Sequence, residues 1–182
     1  DESLNALGYT EHSFAHVTKV ATVASDILKT LGYSEREIEL AKIAGYLHDI
    51  GKLKLSKNLY GRDKNALQIE ETKYMRMHAK VGADMLEECG FSQEICNAVH
   101  HHHENYDGSG YPGNLSEEKI PLEARILRVC DVFAALISDR PYRKGFDIET
   151  AMDLMIEDNK AFDMKILLDF MTVYHSQEFE QV

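Results

Sequence analysis

Helical periodicity is the feature that most restricts what this chain can fold into. Over most of its 182 residues, apolar side chains recur at intervals of three and four positions, which places them on one face of a helix. The stretch from His12 to Leu31 shows this period. Ser34 and Glu37 then have the spacing of a capping box, which opens a second helix. No run of residues alternates convincingly enough to be a strand, so we predict an all-α fold.

Start and stop residues divide the rest of the chain into further helices. We predict them over about 34–50, 69–88, from Ser92 into a histidine run, from near Pro121 to Leu136, and over 147–157 and 164–174. Residues 51–61 are predicted to form a polar connection without periodicity. With no repeat or interdomain linker, we expect one domain over residues 1–182, in which 1–11 form a lead-in. Because residue 1 is Asp rather than Met, an upstream domain is left open.

The charge balance narrows the class of partner. The 20 Lys and Arg against 31 Asp and Glu give a net charge of −11, whereas proteins that bind duplex nucleic acid present a basic face. No apolar run approaches the roughly 18–20 residues that a membrane helix needs. The three cysteines include no CxxC pair, which fits a reducing cytoplasm. We therefore predict a cytoplasmic protein that binds neither duplex nucleic acid nor a membrane.

Histidine is the residue type that carries the candidate chemistry. The chain has nine histidines, four of them consecutive at 100–103. Neighbours on a helix point about 100° apart, so His102 and His103 can serve different metals or opposite sides of one cluster. His48 and Asp49 form a similar pair at the end of an apolar helix, where a buried carboxylate is costly unless it is paired or metal-bound. Taken alone, this pair is equally compatible with metal ligation and with hydrogen-bonded capping of the helix end.

Several motifs in order resemble the HD-GYP family of bacterial phosphodiesterases. The sequence has H-D-I-G-K at 48–52, H-H-E at 102–104 and D-G-S-G-Y-P at 107–112. It continues with D-V-F-A-A-L at 131–136 and D-R-P-Y at 139–142. The resemblance runs from about residue 12 to residue 162, nearly the whole chain. It implies a single helical HD-type domain with a glycine-rich GYP loop.

Carried over residue by residue, the resemblance makes seven side chains metal ligands. They are His16, His48, Asp49, His78, His102, His103 and Asp131. It implies two divalent ions bridged by Asp49, and imidazole with carboxylate suits iron or manganese first, with zinc or nickel as further options. Some family members have a glutamate four residues before the first histidine and bind a third metal. Here that position is His12, which shares a helix face with His16 and is either a ligand or a supporting neighbour.

Four further residues are candidates for contact with substrate. Two metal ions can activate a water and hold the attacked phosphate, with Asp49 as the catalytic bridging carboxylate and Lys52 offsetting transition-state charge. Arg140 has the planar fork that suits bidentate phosphate contact, and Arg143 lies where the family has a basic residue. For Arg143, plain surface charge is an equal alternative. Tyr111 of the GYP loop is either an exposed contact or packs the loop down.

The function implied by the resemblance is hydrolysis of a cyclic dinucleotide, first of all cyclic di-GMP, to the linear dinucleotide or GMP. The residues themselves argue only for phosphoester hydrolysis. Two alternatives stay open, namely an HD phosphohydrolase acting on another nucleotide and a module that senses or docks. The family also implies that the GYP loop could contact a diguanylate cyclase domain.

Overall fold

The computed structural model describes the backbone of residues 2–56, 73–139 and 143–176, and side chains at 14–55, 73–139 and 143–174. The α-helices are α1 (Glu2–Thr30), α2 (Glu35–Leu47), α3 (Gly51–Ser56), α4 (His78–Glu88), α5 (Gln93–His101), α6 (Leu122–Ile137), α7 (Ile148–Glu157) and α8 (Met164–Ser176). Short 3-10 helices cover Glu117–Lys119 and Asn159–Ala161. The predicted all-α fold is confirmed. Within the described ranges, no helix has the length and apolar character that a membrane crossing requires.

Local sequence signals account for the starts of α2, α5 and α7. The Ser34 side chain accepts a hydrogen bond from the Glu37 backbone N–H, and the Glu37 side chain accepts one from the Ser34 N–H, so the predicted capping box is present. Ser92 and Asp147 cap α5 and α7 in the same way through their side-chain oxygens. These caps satisfy backbone N–H groups that have no partner inside the helix.

Three predicted boundaries are wrong. Helix α1 begins at Glu2, so the backbone of the predicted lead-in belongs to the first helix. Residues 51–56 form α3 instead of an irregular connection. The predicted helix over 69–88 is interrupted by a turn at Arg76 and Met77, and α4 begins at His78. Residues 57–72 lie outside the described part of the chain.

Helix α6 is the centre of the core. It packs against α1, α2, α5, α7 and α8, and its Leu127, Val129 and Phe133 are fully buried. Phe133 also meets Phe170 and Tyr174 of α8 edge-on, with ring centroids 4.9 and 4.7 Å away. This packing holds the polar side of α6 at a fixed place beside the ends of α2 and α5.

A glycine contact brings the end of α2 against the start of α4. A Cβ on Gly51 would lie 2.7 Å from the Gly82 nitrogen and 2.9 Å from the His78 carbonyl carbon, closer than real Cβ contacts. Only glycine therefore permits α3 to start this close to the first turn of α4. The close approach places His48 and Asp49, which precede Gly51, next to His78.

Candidate metal centre

Seven polar side chains from five separate segments of the chain meet at one place beside α6. His16 comes from the middle of α1, His48 and Asp49 from the turn after α2, and His78 from the start of α4. The remaining members are His102 and His103, just after α5, and Asp131 in α6. These are the seven residues predicted as ligands, and the structure brings all of them together.

Three of the histidines are held in the same way. In His48, His78 and His102, the Nδ1 atom faces a backbone carbonyl three residues earlier in the chain. The partners are Gly45 at 2.7 Å, Met75 at 2.6 Å and Val99 at 2.6 Å. A carbonyl oxygen only accepts, so Nδ1 must carry the proton, and the Nε2 lone pair points into the site. This is the tautomer that a metal ligand requires.

These lone pairs converge on one another. The Nε2 atom of His78 lies 3.3 Å from Nε2 of His102 and 3.1 Å from Nε2 of His103. His78 and His102 both present acceptors in their fixed tautomers, so the contact between them is not a satisfied hydrogen bond. The Nε2 atom of His48 is buried and has no hydrogen-bond partner among the described residues. This arrangement of nitrogen donors fits a shared cation, and divalent metals that bind imidazole nitrogen match it.

The ligand atoms form two groups, and Asp49 lies close to both. One group is His78, His102 and His103, and the other is His16, His48 and Asp49; the ligand atoms of each lie within 4.8 Å of one another. Asp49 Oδ1 is also 3.3 Å from His78 Nε2, while its Oδ2 is 3.6 Å from His48 Nε2. The carboxylate of Asp49 therefore reaches both groups.

Asp131 adds a second carboxylate on the α1 side of the site. Its Oδ1 is 2.9 Å from Nε2 of His16 and 3.7 Å from Nε2 of His48. Burial by itself raises the pKa of Asp131, but the hydrogen bond with His16 and the nearby His48 hold that pKa well below its usual range. Both carboxylates of the site are thus ionised at neutral pH, since His48 and Lys52 likewise outweigh burial and lower the pKa of Asp49.

The histidines of the first group are neutral at physiological pH. Burial lowers the pKa of His78, His102 and His103, that of His103 to about 3. Neutral imidazole with ionised carboxylate is the protonation state that binds divalent metals. Two carboxylates bring two negative charges, so two divalent cations would leave the site positive and attractive to a phosphate.

The GYP loop is tied to the site by a buried glutamate. Glu104 follows His103 directly, and its side chain is 0% exposed. One carboxylate oxygen accepts the Gly113 N–H at 2.6 Å and the other accepts the Leu115 N–H at 3.1 Å. Gly110 packs against the backbone of residues 103–105, with no room for a Cβ. The loop is therefore anchored at both ends beside His103.

Tyr111 packs onto the metal centre rather than extending into solvent. Its ring stacks on the His103 ring, with centroids 4.7 Å apart and planes 26° from parallel. The Arg76 guanidinium lies over the same tyrosine, 5.1 Å from the ring centroid. Burial raises the pKa of Tyr111 to about 12, so its hydroxyl keeps its proton. Of the two sequence-based interpretations, packing of the loop is the one that these contacts favour.

The other predicted substrate contacts are placed differently. Lys52 donates to Asp49 Oδ2 at 2.6 Å and remains partly exposed at the edge of the site. The guanidinium of Arg143 donates to the carbonyls of Leu136 and Ala135, at 3.0 and 2.9 Å, so it caps the last turn of α6. This geometry disfavours the predicted phosphate contact for Arg143, because its terminal nitrogens are occupied. Arg140 and the His12 side chain lie outside the described residues.

Two residues of the site were not found from the sequence. Glu104 belongs to the H-H-E motif, and its position was a signal that could have been used. Arg128 lies one turn before Asp131 on α6, and its Nε donates to Asn105 Oδ1 at 3.0 Å. That contact joins residues 23 positions apart, and nothing in the local pattern indicates it.

Comparison with known proteins assigns the family. The family model described as HD domain matches residues 6–166. The chain belongs to the HD domain family. The match covers all seven candidate ligands, and it supports the resemblance that the motifs indicated. HD-domain phosphohydrolases depend on metal, in agreement with the donor set described above.

Curated relatives are similar over most of the chain. The cyclic di-GMP phosphodiesterase PA4108 of Pseudomonas aeruginosa is 35% identical over 162 residues, which are 88% of this chain and 39% of the relative. The cyclic di-GMP phosphodiesterase response regulator RpfG of Xanthomonas campestris pv. campestris is 36% identical over 82% of this chain and 40% of its own. The 3'3'-cGAMP-specific phosphodiesterase 2 of Vibrio cholerae is 31% identical over 84% and 30%. The chain spans about two-fifths of the length of the first two relatives.

Solved structures agree with the fold. A cyclic GMP-AMP specific phosphodiesterase of V. cholerae (V-cGAP3) superposes with a TM-score of 0.70 at 20% identity, over 92% of this chain and 48% of that one. The HD domain of the L. monocytogenes phosphodiesterase PgpH, in complex with cyclic-di-AMP, has a TM-score of 0.64 at 18% identity, over 91% and 90%. At these identities the likeness shows the helical HD fold alone.

Proposed function

We propose that this chain hydrolyses a phosphodiester bond of a cyclic dinucleotide with the help of two divalent metal ions. One observation carries the proposal. The Nε2 lone pairs of the histidines converge near the Asp49 carboxylate, which reaches both groups of ligands. His78, His102 and His103 would hold one ion, and His16 and His48 the other, together with Asp131. Asp49 would contact both ions. Iron and manganese are proposed first, and zinc and nickel suit the same donors.

When bound, the two metals supply the activated water and the positive charge that the attacked phosphate needs. The chain's own residues keep that chemistry in place. The carbonyls of Gly45, Met75 and Val99 fix three imidazoles with their lone pairs inward, so the ligands need no reorganisation. The ammonium of Lys52 stands beside Asp49 at the partly exposed edge of the site, where it can reach a phosphate oxygen and offset the charge that develops there.

The proposed substrate is cyclic di-GMP. Its support is the similarity to two relatives named as cyclic di-GMP phosphodiesterases, at 35% and 36% identity. A second candidate is 3'3'-cGAMP, because relatives of 31% and 28% identity are named as specific for it. The product is the linear dinucleotide, GMP, or both in succession. The GYP loop remains a proposed contact for a diguanylate cyclase domain, and the cytoplasmic location stays a prediction.

Turnover by metal-loaded protein tests the proposal. The chain is stripped with a chelator, reloaded separately with iron, manganese, zinc or nickel, and incubated with cyclic di-GMP, 3'3'-cGAMP and cyclic di-AMP. Products are separated by chromatography, and metal content is measured in parallel. We expect about two metals per chain and cleavage of cyclic di-GMP in at least one loaded form.

The outcomes separate the alternatives. Hydrolysis of bis(p-nitrophenyl) phosphate without cleavage of any cyclic dinucleotide would favour an HD phosphohydrolase for another nucleotide. Tight binding of a cyclic dinucleotide by fully loaded protein that leaves it intact would favour a sensing module. A His48→Ala variant serves as the matched control, because it removes one candidate ligand whose Nε2 makes no hydrogen bond within the described ranges.

A further inference from the structure

Acidic residues outnumber basic ones in this chain, and two of the described cations near the candidate metal centre already have partners. The net charge is −11. Lys52 pairs with Asp49 at 2.6 Å, and Arg143 caps α6. A cyclic dinucleotide has two phosphodiester groups, and the metal centre can bind only the one that reacts. The other phosphate needs a cation of its own, because like charges in a negatively charged protein repel it.

Arg128 lies beside the candidate metal centre, and within the described part of the chain its only hydrogen bond runs from Nε to Asn105. It is on α6 three positions before Asp131, so the two side chains share a helix face. Its Nε donates to the neutral amide oxygen of Asn105 at 3.0 Å, and Asn105 is two residues after His103. None of the ion pairs among the described side chains includes Arg128. Its terminal nitrogens therefore keep the planar fork that suits a phosphate.

Arg76 is a second arginine close to Tyr111 and His103. It lies in the turn just before α4, where it is exposed, and its guanidinium is 5.1 Å from the Tyr111 ring centroid. Tyr111 in turn stacks on His103. The ion pairs within the described ranges do not include Arg76 either. Both arginines also act on Tyr111 electrostatically, since each opposes the rise that burial causes in the pKa of its hydroxyl.

We propose that Arg128 and Arg76, both close to Tyr111 and His103, form a second phosphate subsite for the part of the substrate that is not cleaved. The subsite binds a phosphodiester anion. Arg128, held by Asn105, orients this phosphate, and the exposed Arg76 adds positive charge beside it. The inference rests on the proposed hydrolysis of a cyclic dinucleotide. It makes these arginines determinants of specificity for a substrate with two phosphates, in addition to the seven metal ligands.

The test compares a substrate with two phosphates and a substrate with one. Arg128→Gln, Arg76→Gln and the double variant are assayed with metal loaded, on cyclic di-GMP and on bis(p-nitrophenyl) phosphate. For Arg128→Gln we expect KM for cyclic di-GMP to rise about 10- to 100-fold, the scale of a lost charged hydrogen bond, with kcat nearly unchanged. Turnover of the one-phosphate substrate and metal content should stay at wild-type level. Arg128→Lys should restore part of the affinity.

Controls keep the two proposals separate. Arg36→Gln removes an exposed arginine that pairs with Glu94, remote from the cluster, and should change neither substrate. Equal losses on both substrates, or no loss on either, would overturn the subsite. If wild-type protein cleaves no cyclic dinucleotide, the proposed function is wrong. The subsite is then tested by measuring the binding of cyclic di-GMP by calorimetry. Unchanged affinity in the double variant, or no binding by the wild type, overturns it, whereas weaker binding supports it. Arg76→Gln is a surface change, so the test does not depend on the folding of Arg128 variants.

Discussion

The buried carboxylate of Glu104 allows a prediction whose magnitude follows from the structure. In Glu104→Gln, the side chain keeps its shape, but one of its two oxygens becomes an NH2 group. Either the Gly113 N–H, now 2.6 Å from its acceptor, or the Leu115 N–H, at 3.1 Å, must then face another donor. Losing a hydrogen bond to a charged group costs about 1.5–3 kcal/mol, and an unsatisfied buried donor costs about 1–3 kcal/mol. With overlap between these costs, we expect the free energy of unfolding to fall by about 2–4 kcal/mol.

Thermal and urea unfolding of chelator-treated protein measure this change without the contribution of bound metal. For a chain of this size, we expect Tm to fall by roughly 5–15 °C. Turnover should also fall, because Glu104 adjoins His103 and anchors the loop that carries Tyr111. Glu39→Gln on the exposed side of α2 is the matched control and should stay within about 0.5 kcal/mol of wild type. If Glu104→Gln unfolds like that control, the reasoning about the loop is refuted.

Three further predictions concern the cluster itself. Asp49→Asn removes the charge that both ligand groups share, so it should abolish hydrolysis and deplete at least one metal, while helix content by circular dichroism persists; full turnover with both metals would contradict the bridging role. Lys52→Ala should lower kcat about 10²–10³-fold with metal content unchanged, whereas loss of metal would give Lys52 an architectural role. Burial holds the pKa of His103 in the folded protein at about 3, below its unfolded value near 6.5. Between about pH 3 and 6.5, the unfolded state of the metal-free protein therefore binds more protons than the folded state. The free energy of unfolding of the metal-free protein should therefore fall as the pH falls from about 6.5, and His103 contributes at most about 1.4 kcal/mol per pH unit. Urea melts that show no dependence on pH would contradict the burial argument.

The helix boundaries separate what periodicity predicts from what packing decides. The helical period and the capping box at Ser34 predicted the start of α2 correctly, because a capping box is a local hydrogen-bond pattern. The same reasoning missed α3, because six residues are too few for a period to be recognised. It also ran a helix through Arg76 and Met77, although the chain turns there and α4 starts at His78. That turn matters to the site, because it leaves the Met75 carbonyl facing His78 Nδ1.

The candidate ligands could be named from the sequence because they belong to ordered motifs. The contacts around them could not, since they join residues far apart in the chain. Arg128 meets Asn105 across 23 positions, and His16 meets Asp131 across 115. Arg143 was a predicted phosphate contact because of its charge and its place in the motif. In the structure its guanidinium caps the end of α6 instead. A motif specifies residue types, whereas the direction of a long side chain depends on which acceptors the fold brings within reach.

The sequence alone determined that the chain is helical, that seven histidines and aspartates are candidate ligands, and that the motifs are those of HD-GYP phosphodiesterases. The helical fold follows from residue spacing, whereas the ligands follow from the resemblance of the ordered motifs to the family, and the chain carries both before it folds. Only the tertiary structure decided that Asp49 reaches both ligand groups, that three imidazoles point their lone pairs inward, and that Glu104 pins the GYP loop. Each of these depends on distances between helices, and those distances follow from the packing around α6 and the close contact at Gly51.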